Sequence, residues 1–250
     1  MKYPFISMAV LLGVAGCQSG APASGNASTP DPLKATLSGD ACPDMGQKAY
    51  FFWMEPRSVE PGDAVALFPY WTDMPGGYNR LPPGCLGDLG VYPEGTAAFS
   101  RQEDGLAIAT IGPDVQAGTR LRLDGAYNGH GLTGLVEVFR AADNPLVGTW
   151  RQEGRDCVSG SAVQELVFTG GGDFSVTWTP FEVYKDYWGS YTFDAQTGAI
   201  SLTVESGNQL PEDVMPSGIA TVSDGRLVFD GVSLGTPRSA AEACHGAFTK

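Results

Sequence analysis

Short apolar runs, separated by turn residues, occupy 48–53, 64–68, 96–100, 106–111, 119–123 and 135–139. Runs of this length between glycine, proline, aspartate and asparagine predict β-strands. Alternation is plainest in Arg120-Leu121-Arg122-Leu123, with arginine toward water and leucine toward a core. Ser58-Val59-Glu60-Pro61-Gly62-Asp63 reads as a turn leading into Ala64-Val65-Ala66-Leu67-Phe68. A stretch of about 100 residues with this spacing predicts a β-sandwich over 42–143.

Asn144-Pro145 marks the next boundary. Three hairpins follow, each on a glycine-bearing turn: 165–168 with 174–179, 188–193 with 199–205, and 219–222 with 226–229. With 146–150 as a first strand and 244–249 as the last, about eight strands close into a small barrel. The predicted fold class is all-β, a β-sandwich followed by an up-and-down β-barrel over 144–250.

Three stretches resemble known families. Pro113-Asp114-Val115-Gln116-Ala117-Gly118-Thr119 resembles the turn before a late strand in bacterial immunoglobulin-like domains, which implies that kind of sandwich. Gly148-Thr149-Trp150 resembles the G-x-W start of lipocalins and lipocalin-like bacterial domains, which implies a barrel built around a ligand. The pattern of a lipocalin's C-terminal helix is missing, and the domain is shorter. At the N terminus, Lys2 precedes the apolar stretch Met8-Ala9-Val10-Leu11-Leu12-Gly13 and then Val14-Ala15-Gly16-Cys17. That order resembles the lipobox of bacterial lipoproteins. It implies a signal peptide over 1–16, cleavage before Cys17 and acyl chains such as palmitate on Cys17. The apolar stretch falls short of the roughly 20 residues of a membrane span, so the expected state is anchored and not spanning. Gln18 in place of Asp points, in the enteric lipoproteins this resembles, to the periplasmic face of the outer membrane. The region 17–41 is then a lipidated cysteine with a flexible tether rich in Ser, Ala, Gly and Pro.

Composition narrows the partners. A net charge of −13 over 250 residues repels phosphate backbones, so nucleic acid is not an expected partner. Hydrophobic residues at 42%, with five tryptophans, suffice for a core. Four cysteines follow Cys17, namely Cys42, Cys85, Cys157 and Cys244. In an oxidising compartment an even number predicts two disulfides. Three pairings are possible, and pairing inside each domain favours Cys42–Cys85 and Cys157–Cys244.

No catalytic constellation is visible. His130 and His245 fall in different domains without partners at metal spacing, and there is no C-x-x-C, so no metal or cofactor is expected. A G-x-S-x-G elbow is absent, and Gly170-Gly171-Gly172 reads as a hairpin turn with no lysine after it. The expectation is a protein that is not an enzyme. The distinctive segment is 178–193, with seven aromatics in sixteen positions. Pro180 removes a ladder donor, which turns the chain out of the sheet as a loop. Trp178, Tyr184, Tyr187 and Trp188 are thereby the expected ligand-binding surface at the barrel mouth, while Tyr191 and Phe193 share an inward face. The competing reading is that all these rings fill the core.

Two functions are open. One is a lipid-anchored envelope protein that binds a small apolar or glycan ligand through the barrel. The alternative is a protein-interaction module such as a periplasmic protease or lysozyme inhibitor, which would dock an envelope protein with its loops. A barrel cavity distinguishes the first, a filled barrel with exposed rigid loops the second.

Overall fold

The structure is a computed structural model that describes residues 31–73, 77–157, 161–180 and 184–250, with the backbone alone for Glu55 and Asp156. Cys17, the expected signal peptide and most of the expected tether lie outside the described residues. Residues 31–250 form one compact unit.

The first half contains β1 (Ala49–Glu55), β2 (Ser58–Val59), β3 (Ala64–Thr72), β4 (Tyr78–Arg80), β5 (Leu86–Tyr92), β6 (Ala97–Arg101), β7 (Ala107–Ile111), β8 (Arg120–Tyr127) and β9 (His130–Val138). They form two sheets. One runs β1-β3-β7-β6 with β4 added beside the far half of β3, and the other runs β2-β9-β8-β5. The sheets pack as a sandwich because alternate residues on each strand are apolar. Phe52, Met54, Val65, Leu67, Ala109 and Ile111 from one sheet meet Leu121, Leu123, Leu132, Val136 and Val138 from the other. Arg120 and Arg122 point to solvent between the buried Leu121 and Leu123, as the alternation predicts.

Cys42 and Cys85 are disulfide-bonded, with Cα atoms 5.5 Å apart. The bond brings the start of the sandwich to the turn before β5. Residues 31–41, placed in the tether by the sequence reading, are held against that turn. The amides of Thr36 and Leu37 both donate to the carbonyl of Gly84 at 2.8 Å, and Leu89 N–H donates to Leu33 O at 3.4 Å.

The second half contains β10 (Gly148–Gln152), β11 (Glu165–Phe168), β12 (Asp173–Thr177), β13 (Tyr187–Phe193), β14 (Ala199–Gly207), β15 (Ser217–Ser223), β16 (Arg226–Asp230) and β17 (Phe248–Thr249). Each pairs antiparallel with the next, and β17 pairs back onto β10, so an eight-stranded up-and-down barrel closes. Closure leaves no free edge strand. Its core is separate from that of the sandwich and is built on Trp150, Phe168, Phe174, Val176, Tyr187, Leu202, Leu227 and Phe248. Trp150, from the Gly148-Thr149-Trp150 start, is fully buried and donates its indole N–H to Leu146 O at 2.6 Å. The Lys250 ammonium sits 4.7 Å from the centre of its ring.

Where the sequence predicts a closing strand over 244–249, the ladder holds only two residues. Ahead of them a side chain does the pairing. Gln152 donates from Nε2 to the carbonyls of Cys244 and Gly246, at 2.9 and 3.0 Å, and accepts Val163 N–H at 2.9 Å.

The turn between β11 and β12 reaches the sandwich. Gly170 N–H donates to Ser58 Oγ at 2.9 Å, and Gly171 N–H donates to Glu137 Oε2 at 2.8 Å. Arg120 holds the other oxygen of Glu137 at 2.9 Å. Thus the triple glycine is a hairpin turn, as expected, and its amides also take a carboxylate. A Cβ on Gly171 would meet the Glu137 carboxylate, so a larger residue there would push that carboxylate off the turn. Hydrogen bonds to a charged group are each worth about 1.5–3 kcal/mol. Glu137→Ala is expected to cost about that much in urea unfolding, and Arg120→Ala, which removes an exposed partner, less than about 1 kcal/mol. Equal losses would place the stabilisation in the ion pair and not in the turn.

Candidate functional site

In an antiparallel meander successive connections leave from alternate ends. Here that separates short from long. The turns 169–172, 194–198 and 224–225 lie at one end, and 153–164, 178–186, 208–216 and 231–247 at the other. The Cys157–Cys244 disulfide joins two of the four long connections, with Cα atoms 4.9 Å apart.

The connection 178–186 is organised by Asp186, which is buried. Its carboxylate accepts Trp178 N–H at 2.7 Å and the Tyr184 hydroxyl at 3.2 Å. Its carbonyl accepts the amides of Asn208 and Gln209, at 2.7 and 2.9 Å, from the next long connection. That connection in turn meets the fourth: Asp213 accepts both the amide and the hydroxyl of Thr236, at 2.9 and 2.7 Å. These bonds hold the Asp213 carboxyl below the ordinary aspartate range, the Thr236 hydroxyl being the largest cause. The long-loop end is therefore tied loop to loop by hydrogen bonds.

The four expected binding residues divide. Tyr184 and Trp188 are exposed, at 36% and 38% of their surface. Trp178 and Tyr187 are not on the surface, which corrects the sequence reading. Pro180 does lie in a loop, but that loop ends at Asp186, and β13 begins on Tyr187 with an inward side chain. The Tyr187 ring stacks edge-on against Phe174 at 6.0 Å and lies 5.9 Å from Trp178, and its hydroxyl donates to Leu234 O at 2.9 Å. Tyr191 is buried as expected, and Phe193 packs against the same core. Phe181 lies outside the described residues. Leu210 and Met215, exposed on the long connection that Asp186 fastens, join Tyr184 and Trp188 at this end. The sequence singled out neither, since a lone apolar residue in a polar loop carries no periodic signal.

The barrel interior is occupied by side chains. At its long-loop end a pocket of about 40 Å³ lies among Gln152, Val232, Leu234, His245 and Phe248. That is room for a few water molecules and not for an organic ligand. A wider, open groove of about 490 Å³ lies on the sandwich between Leu33, Leu89, Val91 and Phe99. Among the described residues, no group of three or more His, Cys, Asp or Glu is placed to hold a metal ion. His130 stacks on Tyr50 with ring centres 4.3 Å apart and meets Asp44 at 3.2 Å, a surface cluster remote from the barrel loops.

Buried phenols give the fold an alkaline limit. Burial pushes Tyr127 and Tyr191 up to about 12 and raises Tyr187 further, the charge of Asp186 adding to the last. An unfolded tyrosine titrates near 10.0, so above that pH the unfolded chain releases protons that the fold retains. Stability present below pH 10 is then lost as pH rises toward 12. Each such phenol contributes a slope of about 1.4 kcal/mol per pH unit. Tyrosinate absorbance and circular dichroism are expected to change together in one cooperative alkaline step. Ionisation of these three phenols with the fold intact would refute their burial.

Elsewhere, the outer face of the first sandwich sheet carries aromatics that the sequence reading missed: Phe51 and Trp53 on β1, Phe68 and Tyr70 on β3, and Tyr78 on β4. The signal was present as aromatics two apart on facing strands, but the continuous apolar run at 48–53 hides which face each ring takes. Comparison of the chain with protein-family models, with curated proteins and with solved structures finds no match.

Proposed function

We propose that this chain is a non-catalytic, lipid-anchored protein of the cell envelope that docks another envelope protein on the long-loop end of its barrel. The observation that carries this is the filled barrel. A core closed around Trp150, Phe168 and Tyr187, with a pocket of about 40 Å³, supports docking at the surface over capture of a ligand inside. The described residues of the four long connections, fastened by a disulfide and by hydrogen bonds at Asp186 and Asp213, supply a pre-organised surface, which lowers the entropy cost of binding. Tyr184, Trp188, Leu210 and Met215 supply its apolar contacts. The net charge of −13 favours a basic partner, the class to which lysozymes belong. Localisation rests on the lipobox resemblance at Cys17, and Gln18 favours the periplasmic face of the outer membrane. The exposed rings of Tyr184 and Trp188 keep a second reading, in which the barrel mouth stacks on a glycan.

Photo-crosslinking in intact cells separates these readings. A crosslinker at Tyr184 or Leu210 is expected to trap one discrete protein, and the same group at Ser201 on the barrel wall none. Trapping that is equal from all three positions would refute a loop-end site. A small glycan retained in native mass spectrometry, without a protein adduct, would establish the second reading instead. In parallel, Cys17→Ser is expected to move the protein from the membrane fraction to the soluble one.

A further inference from the structure

The solvent face of a sandwich sheet is ordinarily polar, because only its inner face is covered. Here β1 and β3 are apolar on both. Register sets Phe51 opposite Tyr70 and Trp53 opposite Phe68 on the outer face. Tyr78 joins from β4, two residues before Arg80, which pairs with Tyr70. Phe51 lies 5.9 Å from Tyr70 and 5.5 Å from Tyr78, and Trp53 lies 6.1 and 6.0 Å from the same two rings. None of the five rings is buried, and Tyr78 exposes 42% of its surface. Partly exposed rings gathered on one sheet face suit a binding surface.

Two guanidinium groups border it. Arg57 stands 6.0 Å from the Trp53 ring centre and Arg80 4.5 Å from that of Phe68. Both are exposed. Among the described residues neither meets a carboxylate, whereas Arg120, Arg122 and Arg226 each do. At the opposite end Lys48 and Asp73 neutralise one another at 3.5 Å. In a chain of net charge −13, this face offers rings together with cations that meet no carboxylate among the described residues.

We propose that this face binds a sparsely acidic glycan, a neutral pyranose chain bearing isolated carboxylated sugars. The flat C–H faces of pyranose rings stack on the aromatic patch. A guanidinium lying on a ring keeps its in-plane N–H donors free, and their fork matches a carboxylate. Sparse charge follows from the rest of the molecule: two cations suit two carboxylates, and a densely charged chain would meet the repulsion of the whole acidic surface. A second copy of this chain fits less well, since pairing two such faces would set Arg57 and Arg80 of one against those of the other. The site is separate from the barrel end and does not depend on the function proposed there.

Calorimetric titration of the folded protein tests it, with a xylo-oligosaccharide carrying one glucuronic acid, its neutral counterpart, and polygalacturonate as probes. The glucuronate-bearing chain is expected to bind about tenfold more tightly than the neutral one, and polygalacturonate more weakly than the former. Arg57→Gln combined with Arg80→Gln, which leaves the rings in place, is expected to abolish the preference for the acidic chain while retaining neutral binding. Trp53→Ala is expected to weaken both by more than tenfold. Binding unchanged by either variant, no preference for the acidic chain, or no binding at all overturns the proposal. So does a dimer in sedimentation that Trp53→Ala dissociates, which would make the face a self-interface.

Discussion

Tyr187→Ala is expected to lower the stability of the fold by about 3–5 kcal/mol, the cost of truncating a large buried ring. The ring has no exposed surface, contacts Phe174 and Trp178, and spends its hydroxyl on Leu234 O at 2.9 Å. Removing it leaves a cavity and an unpaired carbonyl from the last long connection. Three residues away, Tyr184→Ala loses one hydrogen bond to Asp186 and part of a half-exposed ring, and is expected to cost no more than about 1 kcal/mol. Thermal unfolding of the two variants decides it. Comparable small losses would mean that Tyr187 is not in the core, and comparable large ones would mean that Tyr184 is part of it. A large Tyr187 effect with a silent Tyr184 leaves Tyr184 available for binding.

Removing the Cys157–Cys244 disulfide, as the double alanine variant, is expected to cost about 4–5 kcal/mol at the chain-entropy limit, and at least about 2 kcal/mol in practice. The bond closes a loop of 87 residues, against 43 for Cys42–Cys85. Position adds to length. Barrel closure rests on β17, a stave of two residues that pairs with Arg151 and Gln152 on one side and with Arg226 and Leu227 on the other. Cys244 holds the chain leading into that stave, and Gln152 grips its carbonyls. Loss of the bond is therefore expected to raise amide exchange in β10 and β17 first, while the β13–β14 pair, the longest in the barrel, stays protected. Uniform loss of protection around the barrel would show that the disulfide acts on global stability alone.

Both expectations turn on residues whose environments were unequally legible in the chain. Hairpins could be located from turn chemistry: 165–168 and the strands about Asp194-Ala195-Gln196-Thr197-Gly198 and Ser223-Asp224-Gly225 lie where the pattern predicts, because these turns are local and their glycines at 172, 198 and 225 take positive φ. Both disulfides pair as the division of the chain suggested. β5 escaped notice. Its sequence, Leu86-Gly87-Asp88-Leu89-Gly90-Val91-Tyr92, carries a register shift between Gly87 and Gly90 with Asp88 at φ 51°, so its alternation is broken where a bulge inserts. β4 escaped because three residues carry no period.

The sequence by itself determined the class of fold, the strand order of the barrel, the turns and the cysteine pairing. Each of these depends on neighbours in the chain or on counting within a domain. Only the tertiary structure decided which aromatic is core and which is surface. Trp178, Tyr184, Tyr187 and Trp188 are alike as letters, and one residue of displacement in a strand boundary reverses the face of every ring after it. Tertiary packing also decided that the barrel is filled, since a cavity is the difference between the volume that strands enclose and the volume that side chains occupy. The aromatic outer face of β1 and β3 belongs to the same category. A run such as Tyr50-Phe51-Phe52-Trp53 states that both faces are apolar, and the partner sheet alone selects which of them it covers.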